Sequence, residues 1–157
     1  MADGTLRGSS GLRRSPFIAL TDEEIIDLKG EIAVIGADEN VFLFNSGAKT
    51  GYNAKADKIF IKSDVFPSYA SLHPRDLMSE RAVLAHEYYG HRPNRKTALE
   101  IGAWNDEFRA SYMAAHNAPG LSNDDRRYLI LDAVERAREA GVSITYNDFM
   151  RRVVYGF

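Results

Sequence analysis

The sequence predicts an α+β fold in the order helix, small sheet, four helices. Three observations lead there. A capping-box pair, Thr21 and Glu24, opens a stretch in which Ile25, Leu28, Ile32 and Ile35 recur at helical intervals. Two short apolar-rich runs, at 41–45 and 58–62, are bounded by Gly, Asn and Asp, as strands are. Beyond them the chain carries helix start and stop signals to its end.

Residues 1–16 are rich in Gly, Ser and Arg with no hydrophobic period and read as a flexible lead-in, leaving 17–157 as the domain. Gly30 weakens the first helix, and an early end with a strand over 31–35 is the competing reading. The segment SGAKTGYNAKAD, between the two apolar runs, reads as a long polar connection. Pro67 and Pro74 punctuate a loop, after which a helix runs from near Ser79 through His91 to a stop at Pro93. Another is expected from about Ala98 to Ala115, ending before Pro119 and Gly120. Ser122 with Asp125 caps a further helix that Gly141 closes, and residues 146–155 form the last.

At 157 residues the chain is long enough to bury one core without staples. A net charge of -2 supplies no basic field, so nucleic acid is not an expected partner. No apolar run approaches the ~20 residues that span a bilayer, so neither is a membrane. The N-terminal stretch lacks the apolar segment of a secretory signal, which leaves location open between the cytoplasm and delivery or secretion by another route. With no cysteine in the chain, any metal must sit on histidine and carboxylate.

The segment His86-Glu87-Tyr88-Tyr89-Gly90-His91 holds two of the four histidines, with a glutamate beside the first. A catalytic zinc takes three protein ligands and keeps one position open. In the familiar His-Glu-x-x-His spacing the i, i+4 histidines point the same way and the glutamate is the base. Here the second histidine comes one residue later. At ~100° per residue, i and i+5 diverge by ~140° on a regular α-helix and cannot share an ion. A π-type widening restores the common direction, and Gly90 lies inside the interval that must absorb it. The third ligand is then sought on the next helix, where Asp106 and Glu107 begin fifteen residues after His91.

These residues resemble the two motifs of the dipeptidyl peptidase III peptidases, His-Glu-x-x-Gly-His and Glu-Glu-x-Arg-Ala-Glu/Asp. His86–His91 matches the first throughout; Asp106-Glu107-Phe108-Arg109-Ala110-Ser111 matches the second, with Asp for the first acid and Ser for the last. The resemblance implies zinc on His86, His91 and Glu107, with Glu87 as general base. Asp106 stands where that family has an acid beside the ligand, suited to orienting a histidine. The likeness covers the 26 residues from His86 to Ser111 in a much shorter chain, so dipeptide release is not carried over. What it implies is a minimal zincin-like metallopeptidase: a small sheet packed on an active-site helix, followed by C-terminal helices. Compact domains of this kind also occur as toxin modules, whose partner is an inhibitory (immunity) protein; that comparison is one of fold alone.

Plainer readings stand beside this one. His91, Arg92 and Arg95 suit a helix C-terminus, Tyr88 and Tyr89 suit packing, and Glu107 suits a solvated helix face. The basic run 92–96 is weak evidence for phosphate contact. His73 and His116 read as structural or surface residues; His116, Arg109, Tyr146 and Tyr155 are candidate transition-state donors. The expected function is hydrolysis of peptide bonds in a protein or peptide substrate by a zinc-activated water. Residues 58–62 are the expected strand edge for an extended substrate. The alternatives are a zinc hydrolase toxin acting on another amide or ester, and a metal-free binding module.

Overall fold

The computed structural model describes residues 13–67, 73–96 and 102–157. Helix α1 spans Asp22–Val34 behind a complete Thr21–Glu24 capping box, with three acids in its first turn to answer the helix dipole. Leu28, Ile32 and Ile35 are buried along one side. Gly30 has open space where a side chain would stand, so the helix passes through it, and the alternative of a strand over 31–35 is not adopted.

Strands β1 (Phe42–Phe44), β2 (Gly51–Asn53) and β3 (Lys58–Ile61) form one sheet in the order β1-β3-β2. β1 runs parallel to β3, with Phe42 opposite Ile59 and Phe44 opposite Ile61; β2 returns antiparallel, with Tyr52 opposite Ile59. Two expectations are corrected here. The polar connection contains a strand, β2, and β3 is the central strand rather than an edge. A strand hydrogen-bonded on both sides has no main-chain groups left for an added peptide. β2 escapes a hydropathy reading because only Tyr52 in it is large and apolar. Its place is set instead by a turn in which Asn53 Oδ1 accepts from the Ala56 amide, and by the Tyr52 hydroxyl on Asp57 Oδ1 at 2.8 Å.

A one-turn helix α2 (Pro74–Leu77) precedes α3 (Glu80–Ala85), which continues as a π segment (His86–His91) and a final 3-10 turn, Arg92–Asn94. Pro93 lies within that last turn, and the helix ends one residue after the expected stop. Helix α4 runs Trp104–Asn117, starting later than expected: residues 97–101 lie outside the described residues, and Gly102 then takes a left-handed φ of 82° that no helix continues through. Helix α5 (Asn123–Glu139) has the Ser122–Asp125 capping box, and α6 spans Asp148–Tyr155 behind Asn147. Asp125 also accepts from the Ser79 hydroxyl that caps α3, at 2.6 Å, so the two helices start from a shared point.

The core joins α1, β1, β3, α3, α4 and α5 through Leu28, Ile32, Phe42, Ile59, Ile61, Leu84, Ala114, Leu129 and Ile130, all buried. α4 packs along both the π segment and α5. Of the expected lead-in, residues 1–12 lie outside the described residues, whereas Arg13 is buried and donates to the main-chain carbonyls of Asp64, Val65, Arg75 and Met78. No helix among the described residues is long and apolar enough to cross a membrane.

Candidate metal centre

Ala82, Val83, Leu84 and Ala85 are fully buried and carry α3 into the interior, so His86 and Glu87 arrive at 0% and 1% exposure. From His86 the ladder widens to the π form through His91. An i→i+5 pattern returns the sixth residue over the first, as the spacing requires. The two imidazoles lie 4.7 Å apart, centroid to centroid, at 82° to one another.

Gly90 decides what can stand against this segment. A Cβ there would sit 2.3 Å from the Ala110 carbonyl oxygen and 2.7 Å from its Cα. The backbone of α4 therefore rests directly on the π segment, and Glu107, one turn earlier, is delivered to the histidines. Its Oε1 lies 3.0 Å from His86 Nε2 and its Oε2 lies 3.2 Å from His91 Nε2. Arg136 Nη1, from α5, approaches Oε1 at 3.4 Å.

The donors suit a metal in kind and in spacing. Bonds of about 2.0–2.2 Å meeting at tetrahedral angles separate neighbouring ligand atoms by about 3.3–3.6 Å, so a small parting of these atoms admits an ion. Ligand atoms of His86, Glu87 and His91 lie within 4.8 Å of one another, as do those of His91, Asp106 and Glu107. Desolvation pushes the Glu107 carboxyl up, but the neighbouring charges of His91 and Arg136, the largest opposing causes, hold the group well below the usual range. Desolvation likewise opposes charge on His91, yet the adjoining carboxylates, Glu107 foremost, lift it to about 9. For His86 burial wins, and its pKa is lowered. Of the two histidines, His91 is the one whose charged form its surroundings favour.

Asp106 is buried at the start of α4, accepting from the Gly102 amide at 3.1 Å and from Arg109 Nη2 at 3.3 Å. It comes within 3.7 Å of His91 Nδ1, an ion-pair separation longer than a hydrogen bond. Arg109 reaches the centre's rim through this contact. His116 is nine residues, or about 13 Å, along α4 from Glu107. Its ring packs on Tyr112 and Phe149. Tyr146 stacks on Tyr155, which stacks on Phe157. Among the described residues no hydrogen bond or ring contact links these three donor candidates to the histidines.

Three further residues complete the centre and were not legible as such. Ser111 Oγ lies 2.8 Å from His86 Nδ1 and donates to Asp132 Oδ2 at 2.6 Å. Asp132 is fully buried, with Arg136 Nε 3.0 and 3.1 Å from its oxygens and Arg75 Nε at 3.5 Å. Desolvation favours its neutral form, and Arg136 ahead of other neighbours more than offsets that, lowering the pKa. The available signal was Asp132 and Arg136, i and i+4, lying beside the buried apolar stripe Leu129, Ala133 and Ala137.

A second histidine cluster, His73 with Glu135 and Glu139, behaves differently. His73 Nδ1 accepts from the Arg75 amide at 3.2 Å as the cap of α2, so in the neutral ring Nε2 carries the proton and donates to Glu139 at 3.2 Å. That nitrogen has no lone pair to offer an ion. No protein-family model, curated protein or solved structure matches the chain.

Proposed function

We propose that the chain is a zinc-dependent peptidase of the zincin type, with the metal on His86, His91 and Glu107. The observation that carries this reading is the buried Glu107 carboxylate, with one oxygen on each histidine Nε2, at 3.0 and 3.2 Å. When bound, zinc supplies Lewis acidity that polarises a carbonyl and acidifies water. Glu87 adjoins a ligand and is buried beside both histidines; its role is to take the proton of the attacking water and pass it to the leaving amine. Arg136 answers the charge of Glu107 from α5.

An extended substrate would add to β2, whose second edge bears no partner strand among the described residues and which packs beside the π segment. Arg92, directly after His91, ties that hairpin down through Asp57, at 2.9 and 3.2 Å.

A zinc hydrolase of another amide or ester would use the same residues. Profiling cleavage products in a whole-cell extract, with a chelated control, separates the two. The metal-free binding module draws support from the charge balance of His91, Glu107 and Arg136, which needs no ion. Elemental analysis of protein purified without chelator tests it: about one zinc per chain supports the peptidase, and failure to load zinc favours the module.

A further inference from the structure

The hydrogen bonds behind His86 run in one direction only. Asp132, held between two guanidinium groups, is a carboxylate and can only accept. Ser111 has a single hydroxyl proton, and the 2.6 Å contact with Asp132 Oδ2 uses it. Were that proton turned toward His86 instead, two acceptors would face each other at 2.6 Å. The serine oxygen is therefore an acceptor toward His86 Nδ1, 2.8 Å away, and Nδ1 carries the ring's proton. In a neutral imidazole the other nitrogen is then bare. It points at Glu107 Oε1 across 3.0 Å, acceptor against acceptor, in a site where both residues are buried. A cation shared between them, a proton or a metal ion, answers both lone pairs.

We infer that Asp132, acting through Ser111, holds the proton on His86 Nδ1 and thereby reserves Nε2 for the metal. Ser111 and Asp132 are positioning residues: neither touches the ion or substrate. Arg136 joins the two halves of the device, since one guanidinium meets both Asp132 and Glu107. His73 shows the opposite arrangement in the same protein, with its proton on Nε2. The inference rests on the metal reading above, but its first test does not.

Two-bond proton–nitrogen spectra of the metal-free full chain, at a pH where the ring is neutral, read the tautomer of His86 directly. The expected result is an Nδ1–H ring in the native protein and a redistributed tautomer in Ser111→Ala. Zinc competition against a chelator should show Ser111→Ala binding about 10–100-fold more weakly, with Ser111→Thr, which returns the hydroxyl, recovering both readouts. Thermal unfolding of the metal-free variants separates this from a loss of fold. An Nε2–H ring in the native protein overturns the inference, as does a Ser111→Ala variant with unchanged tautomer and zinc affinity. Native protein with the Nδ1–H ring that takes up no zinc would retire the metal reading and leave the hydrogen-bond assignment standing.

Discussion

Gly90 and Ala110 meet backbone to backbone: a methyl group on Gly90 would lie 2.3 Å from the Ala110 carbonyl oxygen. The histidines and their glutamate come from different helices, and this contact sets how closely those helices approach. A side chain at residue 90 has to push α4 away, and Glu107 and Ser111 travel with it.

Gly90→Ala is expected to destabilise the fold by about 3 kcal/mol and to weaken zinc binding, because overpacking against backbone cannot be relieved by a rotamer change. Gly30→Ala makes the paired control. With nothing within 4 Å of where its methyl group would stand and a helical backbone, it should stabilise by about 0.5–1 kcal/mol. Urea denaturation of the metal-free proteins measures both. Equal effects in the two variants would contradict the contact.

Removal of the metal should lower the unfolding temperature, and added zinc should restore it, because an ion that binds only the native chain stabilises it by mass action. His86→Ala and Glu107→Ala are expected to lose the bound ion. His73→Ala should keep about one zinc per chain, since its Nε2 carries a proton rather than a lone pair. Loss of zinc in the His73 variant would place the ion at the wrong cluster.

Glu87→Gln is expected to retain zinc and fold yet lose at least about 10²–10⁴ in kcat, the usual share of a general base. The loss should fall on kcat and kcat/KM together, because the group acts in the transition state. Should the variant release its zinc, Glu87 would instead be a ligand, which its place beside both histidines permits.

The Asp57–Arg92 pair gives a prediction with a pH axis. Arg92, with help from the Tyr52 hydroxyl, holds the Asp57 carboxyl down to about 2. A carboxyl lowered in the folded state contributes above its unfolded value, near 3.9, and loses that contribution as pH falls through about 2. The latch is therefore intact at any working pH. Burial first, and Asp57 second, raise the Tyr52 phenol to about 12. In Asp57→Asn, residue-resolved NMR should find the Tyr52 midpoint lower but still above ~10, the ordinary value, since the larger cause remains. If β2 receives substrate, the same variant should raise KM more than it lowers kcat.

Much of the fold was legible because its signals are local. The Thr21–Glu24 and Ser122–Asp125 capping boxes each satisfy end-of-helix amides within four residues, whatever the rest of the chain does. The widened helix over His86–His91 was expected on a different ground: histidines at i and i+5 face one point only if the helix departs from ~100° per residue. The two short motifs also singled out Glu107, whose carboxylate the structure sets beside both histidines. By contrast, β2 contains one large apolar residue and is a strand only because β3 offers it an edge.

What tertiary structure alone decided is how these pieces meet. Ser111 reads as a mismatch to its motif until Asp132, from the following helix, is set 2.6 Å behind it. The need for glycine at residue 90 becomes visible only when the Ala110 backbone lies against it. Hydrogen-bond direction and close backbone approach depend on the register between separate helices, which is set by packing of the shared core. Local sequence determines which turns can form; only the packed chain decides which atoms face one another at 3.0 Å.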